Sequence, residues 1–270
     1  TIRIAQYLGM EKVAEIANRT GVMENMPNVL SMALGAGETS LIDLTAAYAS
    51  FVNGGKKVEP SLIDRIQDRR GKNIFLENFA ACTNCDEPYI EENPMPKLVN
   101  SSESIFDEAK SYQMVSILKG AVDRGTGRKT KIDGIEIAGK TGTTNNNTDA
   151  WFIGFTSDLI IGVYAGFDKP KSLGKRETGS SVAVPIFRDF VKNYYQEKPI
   201  LPFTIPNGIE LIKINYDTGE IASNFNSSES VYEAFSKSDN LVSSGEILVG
   251  SEGFQIIEVA DEVMEEYVIY

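Results

Sequence analysis

Lys140 lies in a sequence that matches two motifs with different chemistry. Gly134, Gly139, Lys140 and Thr141 fit the phosphate-loop pattern G-x-x-x-x-G-K-T, in which backbone N–H groups and a lysine hold the phosphates of a nucleotide. Lys140-Thr141-Gly142-Thr143 also fits a K-T-G motif, which other enzymes carry on a strand that holds a carboxylate beside an acylated serine. The first motif predicts a nucleotide triphosphatase, whereas the second predicts acyl-transfer chemistry.

The residues around Lys140 favour the second motif. A phosphate loop needs a strand, a glycine turn and then a helix whose N-terminus faces the phosphates. Residues 135–138 instead alternate between apolar and polar side chains, as in a strand, and residues 141–149 form a Thr/Asn-rich run that is typical of a turn. Residues 150–155 and 159–167 are two further apolar runs of strand length. The pattern predicts an antiparallel sheet and disfavours a nucleotide site.

The composition excludes several kinds of catalytic site. The chain of 270 residues has no histidine, which rules out Ser-His-Asp and Cys-His nucleophiles and most zinc sites. Acyl transfer would therefore need a lysine, a carboxylate or a tyrosine as its base. The net charge is −12, and residues 200–270 contribute most of it, with 13 acidic residues and only Lys213 and Lys237 as basic ones. A nucleic-acid surface is disfavoured because it would need a basic footprint.

The two cysteines and the termini carry weaker signals. Cys82 and Cys85 lack the second ligand pair that a zinc site needs, so we predict either a short disulfide or two free thiols in a surface loop. The longest apolar run, residues 159–167, is too short for a membrane span of roughly 20 residues. The first residues enter a helical pattern without the layout of a signal peptide, so we expect the chain to start inside a domain.

Periodicity and capping signals predict the other elements. Ser40 is expected to cap a helix over residues 41–51, with Asp43 in the capping-box position. Pro199, Pro202 and Pro206 mark a boundary, which separates a domain over residues 1–199 from an acidic extension over residues 200–270 that forms a small β appendage or is partly disordered. The remaining predictions are helices over residues 1–20, 107–124 and 184–196, and hairpins over residues 61–79 and around residues 217–219.

Four stretches together resemble one family. They are residues 34–55 (LGAGETSLIDLTAAYASFVNGG), 117–130 (ILKGAVDRGTGRKT), 138–155 (AGKTGTTNNNTDAWFIGF) and 162–168 (GVYAGFD). The K-T-G motif alone is weak evidence, but its combination with the upstream R-G-T-G and the downstream D-A-W-F is specific. The chain resembles the C-terminal part of the transpeptidase domain of class A (bifunctional) penicillin-binding proteins, the 1A type in particular. The resemblance implies a mixed α/β fold, with an antiparallel sheet flanked by helices as in serine β-lactamases and penicillin-binding proteins, incomplete on its N-terminal side.

The resemblance also implies roles for residues of the K-T-G strand. Lys140 would direct its positive charge toward the terminal carboxylate of the substrate, which the hydroxyls of Thr141 and Thr143 would hydrogen-bond. Gly142 would let the substrate backbone approach, and the N–H of Thr143 would form half of an oxyanion hole. Thr126, in the loop upstream of the strand, would lie near the cleft, and the alternative is that Gly125-Thr126-Gly127 only ends a helix and leads into the strand. No cofactor and no metal are implied.

The family's nucleophile is expected outside this chain. In the family a serine of an S-x-x-K motif attacks the peptide, its lysine accepts the proton, and an S-x-N motif follows before K-T-G. Ser172–Lys175 and Ser238–Asn240 match these patterns, but both come after Lys140. We predict that both are chance matches, so that the nucleophile is absent here and the fragment alone is inactive.

The function implied by the resemblance is that of the longer parent protein. The parent would be a D,D-transpeptidase that cross-links peptidoglycan stem peptides ending in D-Ala-D-Ala and is acylated by β-lactams. It would act at the periplasmic face of the inner membrane of a Gram-negative bacterium, anchored by a segment upstream of this chain. The alternative is a non-catalytic module that binds peptidoglycan or a partner, and the phosphate-loop triphosphatase is the least favoured hypothesis.

Overall fold

The computed structural model describes residues 1–77, 80–83, 97–100, 102–219, 221 and 230–238. The chain divides into two compact units, Thr1–Pro206 and Asn207–Tyr270. The first unit therefore extends past the predicted end at residue 199 and includes all three prolines of the boundary segment. Within the described residues, no helix combines the length and the apolar character that crossing a bilayer requires.

Two of the described helices of the first unit begin at a residue whose side chain caps them, and one of these caps, Ser40, is the one that the sequence predicts. The side chain of Ser40 accepts a hydrogen bond from the N–H of Asp43, and the side chain of Asp107 accepts from the N–H groups of Ala109 and Lys110. The helices are α1 (Ile2–Leu8), α2 (Met10–Arg19), α3 (Leu41–Val52), α4 (Glu108–Asp123) and α5 (Val184–Tyr194). A π-helical turn, Gly179–Ala183, runs directly into α5.

The strands described in the first unit form three separate antiparallel groups. β1 (Arg65–Gln67) and β2 (Asn73–Leu76) form the predicted hairpin, and β3 (Ala80–Thr83) pairs with β4 (Lys97–Asn100). Cys82 lies in β3 and Cys85 lies outside the described residues, so the predicted thiol chemistry stays a prediction. The central sheet has the order β5 (Ala138–Thr143), β6 (Asp149–Phe155) and β7 (Ile160–Gly166).

Helices cover both faces of the central sheet. Because side chains alternate along a strand, Phe152 of β6 packs against α5, where it meets Phe187 with ring centroids 4.8 Å apart. Phe155 points to the opposite face and packs with Val115 and Leu118 of α4. Phe152, Phe155 and Phe187 are all fully buried. This arrangement confirms the predicted mixed α/β fold with an antiparallel sheet flanked by helices.

Two glycines allow α5 to lie close to the sheet. Gly139 and Gly154 face each other across β5 and β6. A Cβ atom on Gly139 would lie 2.6 Å from the carbonyl oxygen of Ile153, and one on Gly154 would lie 2.7 Å from the ring of Phe187. The ring of Phe187 therefore rests on the bare main chain of Gly154, which sets the distance between α5 and β6.

The structure corrects two predicted strand assignments. Regular strand structure begins at Ala138 and not at residue 135, because Ile132 and Ile135 form a bridge around a turn in which Gly134 has φ +81°. In the second unit, β8 (Ile209–Asn215) pairs antiparallel with β9 (Ser230–Ser236). Of the hairpin predicted around residues 217–219, the described residues show a bridge between Ile214 and Ile221, and residues 220 and 222–229 lie outside the described part of the chain.

Candidate functional site

Lys140 lies in the middle of a strand and not at the start of a helix. It belongs to β5, which among the described strands is at the edge of the central sheet and pairs with β6. Gly134 and Gly139 do not form a loop around it, because Gly139 is itself part of the strand. The backbone N–H groups that would cradle phosphates are therefore not arranged as a phosphate loop requires, and the triphosphatase hypothesis is wrong.

The ladder orients the main chain of Thr143 toward the open edge of β5. The N–H of Thr144 donates to the carbonyl oxygen of Asp149 at 3.2 Å, and the next pair in the register is Thr143 with Ala150. Hydrogen-bonded and non-hydrogen-bonded pairs alternate in an antiparallel ladder. We infer that the N–H of Thr143 points away from β6, into the space where a reacting group would approach.

The side chain of Lys140 lies along the same open edge. Its Nζ donates to the carbonyl oxygen of Thr141 at 2.8 Å, and the alternation that exposes the N–H of Thr143 also turns this carbonyl away from β6. Lys140 is exposed, as is the side chain of Thr143. A positive charge and an outward-facing N–H donor thus lie three residues apart on one strand edge, a spacing that suits an anionic substrate.

The Gly-Thr-Gly loop brings Thr126 to the same edge. The hydroxyl oxygens of Thr126 and Thr141 are 2.6 Å apart and share a hydrogen bond. Gly125 and Gly127 let the loop pack against the last turn of α4. A Cβ atom on Gly125 would lie 2.8 Å from the carbonyl oxygen of Ala121, and one on Gly127 would lie 3.2 Å from the same oxygen. The structure therefore brings Thr126 together with Thr141 and the neighbouring Lys140.

Sequence reasoning missed a contact between Gly179 and the K-T-G strand. The N–H of Gly179 donates to the hydroxyl oxygen of Thr143 at 3.0 Å. A Cβ atom on Gly179 would lie 2.6 Å from the carbonyl oxygen of Gly142 and 2.4 Å from that of Trp151. The π-helical turn before α5 thus rests on the main chain of β5 and β6, and the only signal for it in the sequence is the glycine itself.

Asp149 closes the turn between β5 and β6 with its side chain. Its carboxylate accepts hydrogen bonds from the hydroxyls of Tyr164 at 2.8 Å, Thr148 at 2.9 Å and Thr144 at 3.0 Å. The bond from Tyr164 is the largest influence that holds the pKa of Asp149 below its usual range, and desolvation opposes it. The same bond raises the pKa of Tyr164.

The serine matches in the chain lack the structure of a serine–lysine catalytic pair. Ser172 lies in a non-helical segment, where its hydroxyl oxygen accepts from the N–H of Gly174 at 3.2 Å. Ser238 follows β9, and residues 239–240 lie outside the described part of the chain. A further match that sequence reasoning overlooked, Ser116–Lys119, lies in the interior of α4, and Lys119 forms an ion pair with Glu136.

Two of the cavities that the described residues form lie away from the β5 edge. One of about 120 Å³ lies beside Tyr112 and Phe203, and one of about 310 Å³ lies beside Lys119 and Lys131. Neither is lined by residues of the K-T-G motif. Over the residues described, no group of three or more Cys, Asp or Glu side chains is placed to hold a metal ion. The β5 edge itself presents ammonium, hydroxyl and backbone N–H groups.

Comparison with known proteins identifies the family. A family model for the penicillin-binding protein transpeptidase domain matches residues 3–192. The chain belongs to the penicillin-binding protein transpeptidase family, which confirms the resemblance seen in the motifs.

The relatives point to one type within the family. Penicillin-binding protein 1A of Rickettsia conorii is 44% identical over 227 residues, which cover 82% of this chain and 28% of that protein. Penicillin-binding protein 1A of Pseudomonas aeruginosa is 31% identical over 282 residues, 93% of this chain and 34% of that protein. The crystal structure of penicillin-binding protein 1A from Haemophilus influenzae matches with a TM-score of 0.71 and 28% identity, covering 86% of this chain and 37% of that one.

A more distant structure supports the fold alone. Penicillin-binding protein A from Mycobacterium tuberculosis, in its ceftriaxone acyl-enzyme complex, matches with a TM-score of 0.51 at 16% identity, covering 72% of this chain and 45% of that one. The chain spans about a third of the length of the curated relatives it matches, 28% and 34% for the two named above.

Proposed function

We propose that this chain is the C-terminal part of the transpeptidase domain of a class A penicillin-binding protein of the 1A type. Its parent would be a D,D-transpeptidase that cross-links peptidoglycan stem peptides and is acylated by β-lactams. The observation that carries the proposal is the open edge of β5, where the ammonium group of Lys140 and the outward N–H of Thr143 lie on one strand. A stem peptide and a β-lactam both present a carboxylate and a reactive carbonyl, which these two groups suit.

Each residue of the motif has a proposed role. Lys140 attracts the terminal carboxylate of the substrate, and Thr141 and Thr126, whose hydroxyls already share a hydrogen bond, orient it. Gly142 leaves room for the substrate main chain. The N–H of Thr143 stabilises the negative charge that develops on the carbonyl oxygen, while the Thr143 hydroxyl is held by Gly179.

The reaction itself needs a serine and a lysine of the parent protein. The serine oxygen bonds to the carbonyl carbon of the penultimate D-alanine, the C–N bond to the terminal D-alanine breaks, and the serine proton passes through the lysine to the departing amine. We propose that this chain alone is not acylated, because neither Ser116 nor Ser172 begins a helix in which a lysine one turn later is free to act as base. No cofactor is needed for this chemistry.

The location follows from the proposed substrate. Peptidoglycan lies outside the inner membrane, so we place the parent at its periplasmic face, with membrane anchoring outside this chain. The acidic character of the chain, with a net charge of −12, gives no footprint for nucleic acid. The proposed partners are therefore stem peptides and β-lactams.

Covalent labelling with a fluorescent penicillin tests the proposal. We expect the full-length parent to be labelled and this chain to remain unlabelled. In the parent, Lys140→Gln should lower the labelling rate by about 10- to 100-fold, the value of a charge-assisted hydrogen bond. Lys12→Gln, at an exposed position of α2, is the matched control, and Ser172→Ala should also leave the rate unchanged. A parent that takes no label at all would refute the transpeptidase and leave a non-catalytic binding module.

A further inference from the structure

The turn that follows Thr143 is held more firmly than a surface turn needs to be. It contains Asn146 and Asn147 with φ of 63° and 52°, in the left-handed region. The side-chain amide of Asn147 donates to the carbonyl oxygen of Gly174 at 3.0 Å, and its own carbonyl accepts from the N–H of Leu173 at 2.8 Å. The loop before α5 thus fixes one side of the turn.

Asp149 fixes the other side of the turn. Three hydroxyls converge on its carboxylate, and those of Thr144 and Thr148 also lie 2.7 Å from each other. Three hydrogen-bond donors restrain the carboxylate more than one donor would, because each additional hydrogen bond restricts a further rotation or translation of the group. Tyr164, one of the donors, lies in β7, and its ring packs against that of Trp151 of β6 at an interplanar angle of 56°, with ring centroids 4.8 Å apart.

The main chain connects this cluster directly to Thr143. The N–H of Asp149 donates to the hydroxyl of Thr144 at 2.8 Å, and the N–H of Thr144 donates to the carbonyl oxygen of Asp149 at 3.2 Å. The planar peptide unit between Thr143 and Thr144 fixes the carbonyl end of Thr143, and only the φ and ψ torsions of Thr143 separate that unit from the N–H of Thr143. A turn that holds Thr144 therefore restrains the direction of this donor. A shift of the turn would therefore rotate the outward donor at the end of β5.

We propose that Asp149 is a positioning residue that fixes the N–H of Thr143 in the direction required for stabilising a developing oxyanion. This inference rests on the proposed function, because it concerns the same acylation reaction. Asp149 acts through Thr144 and the turn and does not touch the substrate. The hydroxyls of Tyr164, Thr144 and Thr148 hold its carboxylate in place, so β7 contributes to the site although β6 separates it from β5.

Asp149→Asn in the full-length parent tests this role. An asparagine keeps the size of the side chain but offers one acceptor oxygen where the carboxylate has two, so at least one hydroxyl loses its partner. The maximal rate constant of acylation by fluorescent penicillin should fall about 10- to 100-fold, since misplaced oxyanion donors cost rates of this order. The penicillin concentration at half-saturation should change less than about threefold, because Lys140, Thr126 and Thr141 are untouched.

Two further variants keep the test decisive. Asp189→Asn, at an exposed position of α5, makes the same chemical change away from the turn and should acylate like the unsubstituted parent. Tyr164→Phe removes one donor, leaves the ring on Trp151, and should lower the maximal rate constant about 2- to 10-fold. If Asp149→Asn does not fold, the acylation rate constant of Tyr164→Phe alone tests the positioning role of Asp149.

The outcomes separate this inference from the proposed function. A merely structural role of Asp149 would reduce the fraction of protein that takes label and leave the rate constant of the remainder unchanged, and that result would overturn the positioning role. An unchanged acylation rate constant in both Tyr164→Phe and Asp149→Asn would also overturn the positioning role. Failure of the unsubstituted parent to take label would instead refute the proposed function and this inference with it.

Discussion

Replacing Gly179 with alanine tests whether the turn before α5 supports the reactive edge of β5. Gly179 contacts the main chain of Gly142 and Trp151, and its N–H binds the hydroxyl of Thr143. The substitution adds one methyl group and changes no charge. Any effect on acylation must therefore come from the position of the backbone.

The size of the displacement follows from the distances. The new Cβ would lie 2.4 Å from the carbonyl oxygen of Trp151 and 2.6 Å from that of Gly142, whereas ordinary contact begins at 3.4 Å, so the turn must move away by about 1 Å. The hydrogen bond from Gly179 to Thr143, now 3.0 Å, would then lengthen beyond the useful range. A misplacement of about 1 Å near the reacting groups costs about 100-fold in rate, and overpacking costs about 1–3 kcal/mol of stability.

The assay is the rate of acylation of the full-length parent by fluorescent penicillin, with a urea unfolding curve for each variant. Gly120→Ala is the matched control, because its Cβ would meet only the flexible end of Arg124 and the change favours the helix by about 0.5–1 kcal/mol. We expect Gly179→Ala to acylate about 100-fold more slowly and Gly120→Ala to acylate normally. Equal rates for the two variants would show that the turn does not support β5.

Two more predictions concern the surroundings of the site. Thr126→Val removes the hydrogen bond between the hydroxyls of Thr126 and Thr141, and it should slow acylation about 2- to 10-fold with little change in unfolding free energy. An acylation rate equal to that of the unsubstituted parent would contradict the role given to Thr126. Glu136 is desolvated, which raises its pKa, but bonds from Lys119 and from the N–H of Phe203 lower the pKa overall. Its charge therefore stabilises the fold above the ordinary value of 4.5, and this contribution is lost as the pH falls through the lowered pKa. Both partners of the ion pair are partly exposed, so Glu136→Gln should lower the unfolding free energy by less than about 1 kcal/mol at pH 7. In urea unfolding curves recorded at a pH below the lowered pKa of Glu136, the variant and the unsubstituted protein should have the same unfolding free energy. A difference that grew as the pH fell would refute the stabilising role of the Glu136 charge.

Local signals in the sequence predicted what local interactions determine. Ser40 and Asp43 form the expected cap of α3, because a capping bond spans only three residues. Lys140 lies in a strand as predicted, since the alternation before it and the Thr/Asn run after it leave no helix for a phosphate loop. The fold class and the family followed from such signals taken together.

Contacts between distant residues could not be predicted in this way. The alternation of residues 135–138 is real, but a turn at Gly134 delays the regular strand to Ala138, and Glu136 is held by Lys119 and Phe203 instead of by a neighbouring strand. β8 pairs with Ser230–Ser236 although a turn signal lies much nearer, because periodicity does not identify a strand's partner. The contact of Gly179 with β5 likewise joins residues that are far apart in sequence.

The close packing of Phe187 of α5 on Gly154 of β6 has a consequence for biosynthesis. A ribosome completes β5 and β6 before it has made Val184–Tyr194, so Phe152 emerges while its aromatic partner Phe187 does not yet exist. During that interval the nascent chain already contains the entire K-T-G motif, and one apolar face of its strands is exposed to solvent. Translation that stopped in this window would release a polypeptide prone to aggregate, so the last helix of this unit decides whether the earlier strands become a usable site.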